Sequence, residues 1–251
     1  MSTERFDRLL GGIRDKGWNI TWDTSNGIRL DGLNRDLIQK AKHTGCSYLE
    51  FGIDSGKQDT LDRIIKKGLK LEDAERIVML CKEARIDVHT LFVVGFPGET
   101  PEGISETLRF AKHLLWKYGA IPHVCMARPL PGTELYETCE RKGYLTEPVL
   151  PEMGNQLRGE VYPRVMIRTE LFGPDDLETW IGRFNREVIA IVSIRTLVWL
   201  FGHPRVLVAI IRKLWYHRDR GHKEALKRVF YGGLFFKFNY LERCPERESA
   251  E

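Results

Sequence analysis

The sequence has no CxxC pair and no long uninterrupted apolar run. Its five cysteines, Cys46, Cys81, Cys125, Cys139 and Cys244, are odd in number and widely spaced. That argues against a disulfide framework and fits a reducing, cytoplasmic setting. No charged segment followed by an apolar one stands near Met1, so no secretion signal is expected. The most apolar stretch, Val188 to Phe201, is interrupted by Arg195 and falls short of the roughly 20 residues that a spanning helix needs. With 42% hydrophobic residues over 251 positions, the chain carries enough apolar material for one large domain or a domain with an appendage.

Charge is uneven. Residues 195–243 hold 11 Lys and Arg against 3 Asp and Glu, leaving 28 against 32 over the rest. The basic stretch reads either as a solvated helix face or as a surface for anionic lipid, an acidic partner or nucleic acid. Its aromatics Trp199, Trp215, Tyr216, Phe230, Phe235, Phe236 and Phe238 lie among Arg212, Lys213, Lys227, Arg228 and Lys237. They could describe a helix pair on a membrane surface, but core packing against the barrel explains the same aromatics and is the favoured reading.

Strand and helix patterns alternate along the first part of the chain. Phe6, Leu9, Leu10 and Ile13 predict a helix over 4–16, stopped by Gly17. A strand is expected at Trp18 to Asp23, then a helix marked by Leu33, Leu37, Ile38 and Ala41, then a second strand at Tyr48 to Ile53. A short helical step holds Leu61, Ile64 and Ile65, and a longer helix runs from Leu71 to Ala84. The third strand is Asp87 to Gly95, followed by a helix from Pro101 to Lys117 and a fourth strand at Ile121 to Ala127. Thr133 caps a helix to Gly143, residues 147–173 lack a clear period, and the chain reads as helical from Pro174. This is the pattern of parallel βα units, but four strands are too few for a closed eight-stranded barrel. The expected fold is α/β: a partial (βα) barrel of about four parallel strands with flanking helices over 1–145, an irregular connection over 146–173, and a basic α-helical region over 174–251.

The stretch Val88 to Thr100, VHTLFVVGFPGET, organises the rest. An apolar strand ends in the turn Gly95-Phe96-Pro97-Gly98, and Thr100 caps a helix with Pro101 in its first position. The loop lies at the carboxyl end of the strand, where parallel α/β folds place their chemistry. Asp54 and Glu99 follow neighbouring strands, so two carboxylates and two glycine turns meet at one rim, suited to a ligand with hydroxyls and a cation. Each acid also has a plain role, Asp54 in its own turn and Glu99 against the helix dipole.

Four motifs, GCSYLEFGIDSG at 45–56, the Ile65-Lys66-Lys67-Gly68 step, VVGFPGET at 93–100 and RPLPGTELY at 128–136, resemble the radical S-adenosylmethionine (radical SAM) enzymes in order and spacing. The subgroup they resemble places a cobalamin-binding domain ahead of the barrel, as in anaerobic cyclases and methyltransferases. The resemblance implies an open barrel of six βα units, of which these strands are the third to the sixth. It places Asp54 near the ribose of S-adenosylmethionine and Lys67, or Lys66 if the alignment slips, near its carboxylate. It puts Val93 and Gly95 at the adenine, with Met126 to Arg128 closing the other side.

The family's CxxxCxxC loop, which holds three irons of a 4Fe-4S cluster, has no counterpart in this sequence. The strand motif that meets the methionine amine and a cobalamin domain are also missing. Cys46 and Cys125 offer no three-thiolate loop, so no metal ligand or catalytic residue is assigned. The resemblance therefore implies the carboxyl-terminal part of a radical SAM enzyme, inactive alone, that needs a partner segment carrying CxxxCxxC. The 4Fe-4S cluster and a cobalamin would belong to the complete enzyme. The alternatives are a phosphate-binding barrel enzyme using the Gly95 to Thr100 loop, and a non-catalytic membrane-peripheral or partner-binding protein. The substrate is unassigned and no nucleic acid is expected.

Overall fold

A computed structural model describes residues 3–146 and 166–204. Most of the irregular connection and the basic aromatic stretch beyond residue 204 lie outside the described residues. The chain divides into two compact units, Met1–Val188 and Ile189–Glu251.

The first unit is built on a parallel sheet of four strands in sequence order: β1 (Trp22–Asp23), β2 (Cys46–Asp54), β3 (Asp87–Val94) and β4 (Ile121–Met126). Helix α1 (Thr3–Asp15) precedes the sheet, α2 (Arg35–His43), α3 (Leu71–Glu83) and α4 (Pro101–Tyr118) lie between successive strands, and α5 (Glu134–Lys142) and α6 (Pro174–Gly202) follow. This is the expected arc of βα units with a helical region after it.

Alternation along the strands sets the two faces of the sheet. Leu49, Phe51 and Ile53 on β2 and Val88, Phe92 and Val94 on β3 are buried in one core with Leu37, Ile38 and Ala41 of α2, Ile77 and Val78 of α3, and Ile104, Leu108 and Ala111 of α4. Phe51 and Phe92 are fully buried, and truncating either to Ala would cost about 3–5 kcal/mol. The first turns of α6 join this core through Leu177 and Phe184. The other face, the inner one away from the helices, carries Tyr48, Glu50, Gly52, His89, Leu91, Val93, His123 and Cys125.

Caps fix the helices where the sequence marks them. Thr100 accepts from the Gly103 N–H at 3.2 Å, Asn34 from Leu37 at 3.0 Å and Thr133 from Tyr136 at 3.3 Å. Gly119 and Gly143 close α4 and α5 in the left-handed conformation.

Two elements differ from expectation. The first strand is two residues long, and Trp18 and Ile20 are exposed. Strand β2 begins at Cys46, opposite Trp22, so residues 18–21 extend past its end without a ladder partner. The short helical step is a π-helical turn, Thr60–Ile65, closed by Lys66 in the left-handed region at φ 56°.

No helix among the described residues is long and apolar enough to cross a membrane.

Candidate functional site

At the carboxyl end of β2 the backbone turns sharply, with Asp54 at φ 71°. The next residues are tied to α4. Ser55 and Thr107 share a hydroxyl hydrogen bond of 3.0 Å, and the Gly56 N–H donates to Thr107 at 3.1 Å. A Cβ on Gly56 would stand 2.6 Å from Phe110 Cβ and 2.8 Å from Thr107 Cα, so only glycine passes. The turn holds Asp54 at the rim. From the other side, the π-helical turn and left-handed Lys66 swing the chain back, with the Lys67 N–H donating to the Leu61 carbonyl at 3.0 Å.

Lys67 forms an ion pair with Asp54, and their side chains are only 17% and 22% exposed. The acid expected at a ribose and the base expected at a carboxylate thus meet in one pair. Lys66 instead pairs with exposed Glu134 at 2.8 Å. Gly52 faces the Asp54–Lys67 pair, and a Cβ there would lie 3.3 Å from Lys67 Nζ and 3.5 Å from Asp54 Oδ1. The lack of a side chain at Gly52 lets the Lys67 ammonium and the Asp54 carboxylate pack directly against the strand backbone.

At the end of β3, Gly95 adopts φ 93°, and a Cβ there would come 2.7 Å from Leu177 Cδ1. Buried Glu99 folds back under the turn. Its Oε2 accepts from the Gly95 N–H at 2.7 Å and the Phe96 N–H at 2.9 Å, while Oε1 has no partner among the described residues. Burial pushes its carboxyl up to about 7, against the pull of the two backbone donors and of Lys57. The Gly95 and Phe96 N–H groups are therefore already satisfied by an acid.

Val93 lies on the inner face and packs with Phe96, Leu135, Tyr144 and Leu145 around Ala127, Cys139 and Ile167. Met126 packs against the helix-side core, and Arg128 is exposed. Of the six residues expected at the cofactor, Asp54 and Lys67 touch each other, Val93 and Gly95 follow along β3, and Met126 lies on the sheet's other face from Val93. The exposed residue at that end of the inner face is Cys125.

The inner face also carries His89 and His123, whose ring nitrogens approach to 3.2 Å. Burial, then the neighbouring His123, hold His89 down at about 4, so it is neutral at physiological pH. Sequence reasoning passed over this pair. The signal was period-two alternation, which puts His89 beside Leu91 and Val93 and His123 beside Cys125, opposite the core-facing positions.

Cys46, Cys81 and Cys139 are buried and Cys125 is exposed. Among the described residues no group of three or more His, Cys, Asp or Glu is arranged to hold a metal. The described cysteines do not form the three-thiolate set that a 4Fe-4S cluster needs.

Residues 4–111 match the family model of the Radical SAM superfamily. The chain is 32% identical over 125 residues to an uncharacterized methyltransferase of Pyrococcus horikoshii, covering 50% of this chain and 26% of that protein. It is 25% identical over 175 residues to the cytidylyl-2-hydroxyethylphosphonate methyltransferase of Streptomyces wedmorensis, covering 67% and 31%. With the anaerobic magnesium-protoporphyrin IX monomethyl ester cyclase of Rubrivivax gelatinosus it shares 25% identity over 164 residues, covering 61% and 28%. The matches thus span about a quarter to a third of these relatives' own lengths. Among solved structures, the radical S-adenosylmethionine methyltransferase TsrM of Kitasatospora setae, determined with cobalamin and a [4Fe-4S] cluster, aligns with a TM-score of 0.44 at 22% identity, covering 53% of this chain and 27% of that one.

Proposed function

We propose, from the premise that residues 4–111 form a radical SAM superfamily barrel segment, that this arc supplies the face that holds S-adenosylmethionine in a methyltransferase- or cyclase-like enzyme. The observation that carries the reading is the half-buried Asp54–Lys67 pair behind Gly52. A carboxylate suited to accept from ribose hydroxyls and an ammonium suited to a methionine carboxylate sit side by side at one rim. When bound, S-adenosylmethionine supplies the sulfonium centre. Asp54 and Lys67 would orient it, and Val93 and Gly95 would form the adenine side.

The three-thiolate loop is assigned to a separate segment or partner chain carrying CxxxCxxC, because the chain's own cysteines do not make one. By itself the chain is expected to be catalytically inert and to bind S-adenosylmethionine weakly, since cluster and amine contacts are missing. Cobalamin belongs, on this reading, to the complete assembly, and the setting is cytoplasmic. Titration calorimetry with S-adenosylmethionine tests the proposal. Weak binding lost in Asp54→Ala and Lys67→Ala supports it, and binding indifferent to both contradicts it.

The phosphate-binding alternative is disfavoured, because the Glu99 carboxylate occupies the Gly95 and Phe96 N–H groups where a phosphate would sit. A surface-binding role draws support from Ile194, Leu197, Val198 and Phe201, exposed on the second half of α6. Flotation of the chain with anionic vesicles tests it, and failure to float removes it.

A further inference from the structure

Three neighbouring strands set a row of rings on the inner face of the sheet. Tyr48 on β2 stacks on His89 of β3 with centroids 4.8 Å apart and an interplanar angle of 28°. His89 and His123 of β4 lie 5.3 Å apart at 33°. These spacings are close to the separation of adjacent strands, about 4.8 Å, so the rings stand side by side across the sheet. The β3–β4 ladder fixes the two histidines as diagonal neighbours, with His89 opposite Ile121 and His123 opposite Leu91.

Nδ1 of His89 and Nε2 of His123 are 3.2 Å apart. Two imidazole nitrogens bound to one tetrahedral ion at about 2.0–2.1 Å are separated by roughly 3.3 Å. The pair is therefore spaced as a bidentate grip, and imidazole is the ligand type that zinc, copper, nickel and iron share. We propose that His89 and His123 form an open site for a divalent transition-metal ion on the inner face of the arc, distinct from the Asp54–Lys67 rim. Among the described residues no third His, Cys, Asp or Glu completes the set. The remaining positions would be taken by water or by an oxygen of a ligand lying against the inner face, so the ion would not be enclosed as in a four-ligand structural site. His123 is exposed, so an ion has access from the inner side. The inference does not depend on S-adenosylmethionine binding.

The competing account is a plain N–H···N hydrogen bond between two imidazoles. Full-length chain, stripped with chelator and kept reduced, is titrated with zinc alone by calorimetry, with the histidine ring signals followed by NMR. The expected result is one equivalent bound, with affinity about tenfold or more lower in His89→Ala and in His123→Ala. His113→Ala, on the outer helix α4, should leave it unchanged. Because His123 is exposed, its variant reports on the site without burdening the core. No uptake, uptake that survives both inner-face variants, or uptake abolished only by Cys125→Ser would overturn the proposal.

Discussion

Replacing Glu99 by glutamine should stabilise the protein at pH 8 and not at pH 4. The side chain is 2% exposed, and one oxygen holds the Gly95 and Phe96 N–H groups while the other has no partner among the described residues. Burial raises its pKa from 4.5 to about 7. The folded protein thus keeps a proton that the unfolded chain releases between those values. For a raised acid, stability is greatest below pH 4.5, falls as pH rises to 7, and is flat above. A difference of roughly 2.5 units corresponds to about 3 kcal/mol at most. Glutamine keeps the acceptor and replaces the orphaned oxygen with an uncharged amide, whose own unpaired N–H groups return about 1–2 kcal/mol of that gain. The net expectation is a stabilisation of about 1–2 kcal/mol at pH 8, or a few degrees in Tm. Glu99→Ala strips the acceptor from two backbone donors and should destabilise at both pH values. Chemical unfolding of the three proteins at pH 4 and pH 8 decides the matter. A Glu99→Gln protein whose difference from wild type is the same at both pH values would refute the reasoning.

Three further outcomes follow from the same geometry. Despite the opposing effect of burial, Glu75 is held at about 2 by His113, Lys117 and Tyr118. Its stabilisation is present above pH 4.5 and lost as pH falls towards 2. Its side chain is 28% exposed, so Glu75→Gln should cost on the order of 1 kcal/mol at pH 7, read from the urea midpoint, and nothing near pH 2. Gly56→Ala would press a methyl against Phe110 and Thr107, and should lower stability by about 1–3 kcal/mol in thermal unfolding. Strand β1 is an edge of the described sheet, so sedimentation should find the chain self-associated when expressed alone, and relieved of it by co-expression with a CxxxCxxC-bearing segment.

The helices were legible because their punctuation is local. Thr100 and Pro101, Thr133 and Gly143 each mark an end through a cap or a left-handed residue, whatever the tertiary context. The buried strands were legible because Leu49, Phe51, Phe92 and Val94 bring β-forming side chains to a two-sided sheet. The first strand was overdrawn because its length is set by where β2 begins, a property of the partner and not of residues 18–21. At the rim, Asp54, Gly95 and Glu99 could be picked out from the glycine turns after their strands. That Lys67 pairs with Asp54 depends on a π-helical turn and a left-handed Lys66, which no short-range pattern encodes. The His89–His123 contact needed the register of β3 against β4. Alternation gives the face but not the distance.

The most direct measurement is a structure of the chain with S-adenosylmethionine, alone or with a CxxxCxxC-bearing segment added. The account predicts the ribose hydroxyls within hydrogen-bonding distance of Asp54 and the ligand's carboxylate at Lys67. A complex with S-adenosylmethionine bound elsewhere, and the Asp54–Lys67 pair untouched by it, would contradict it.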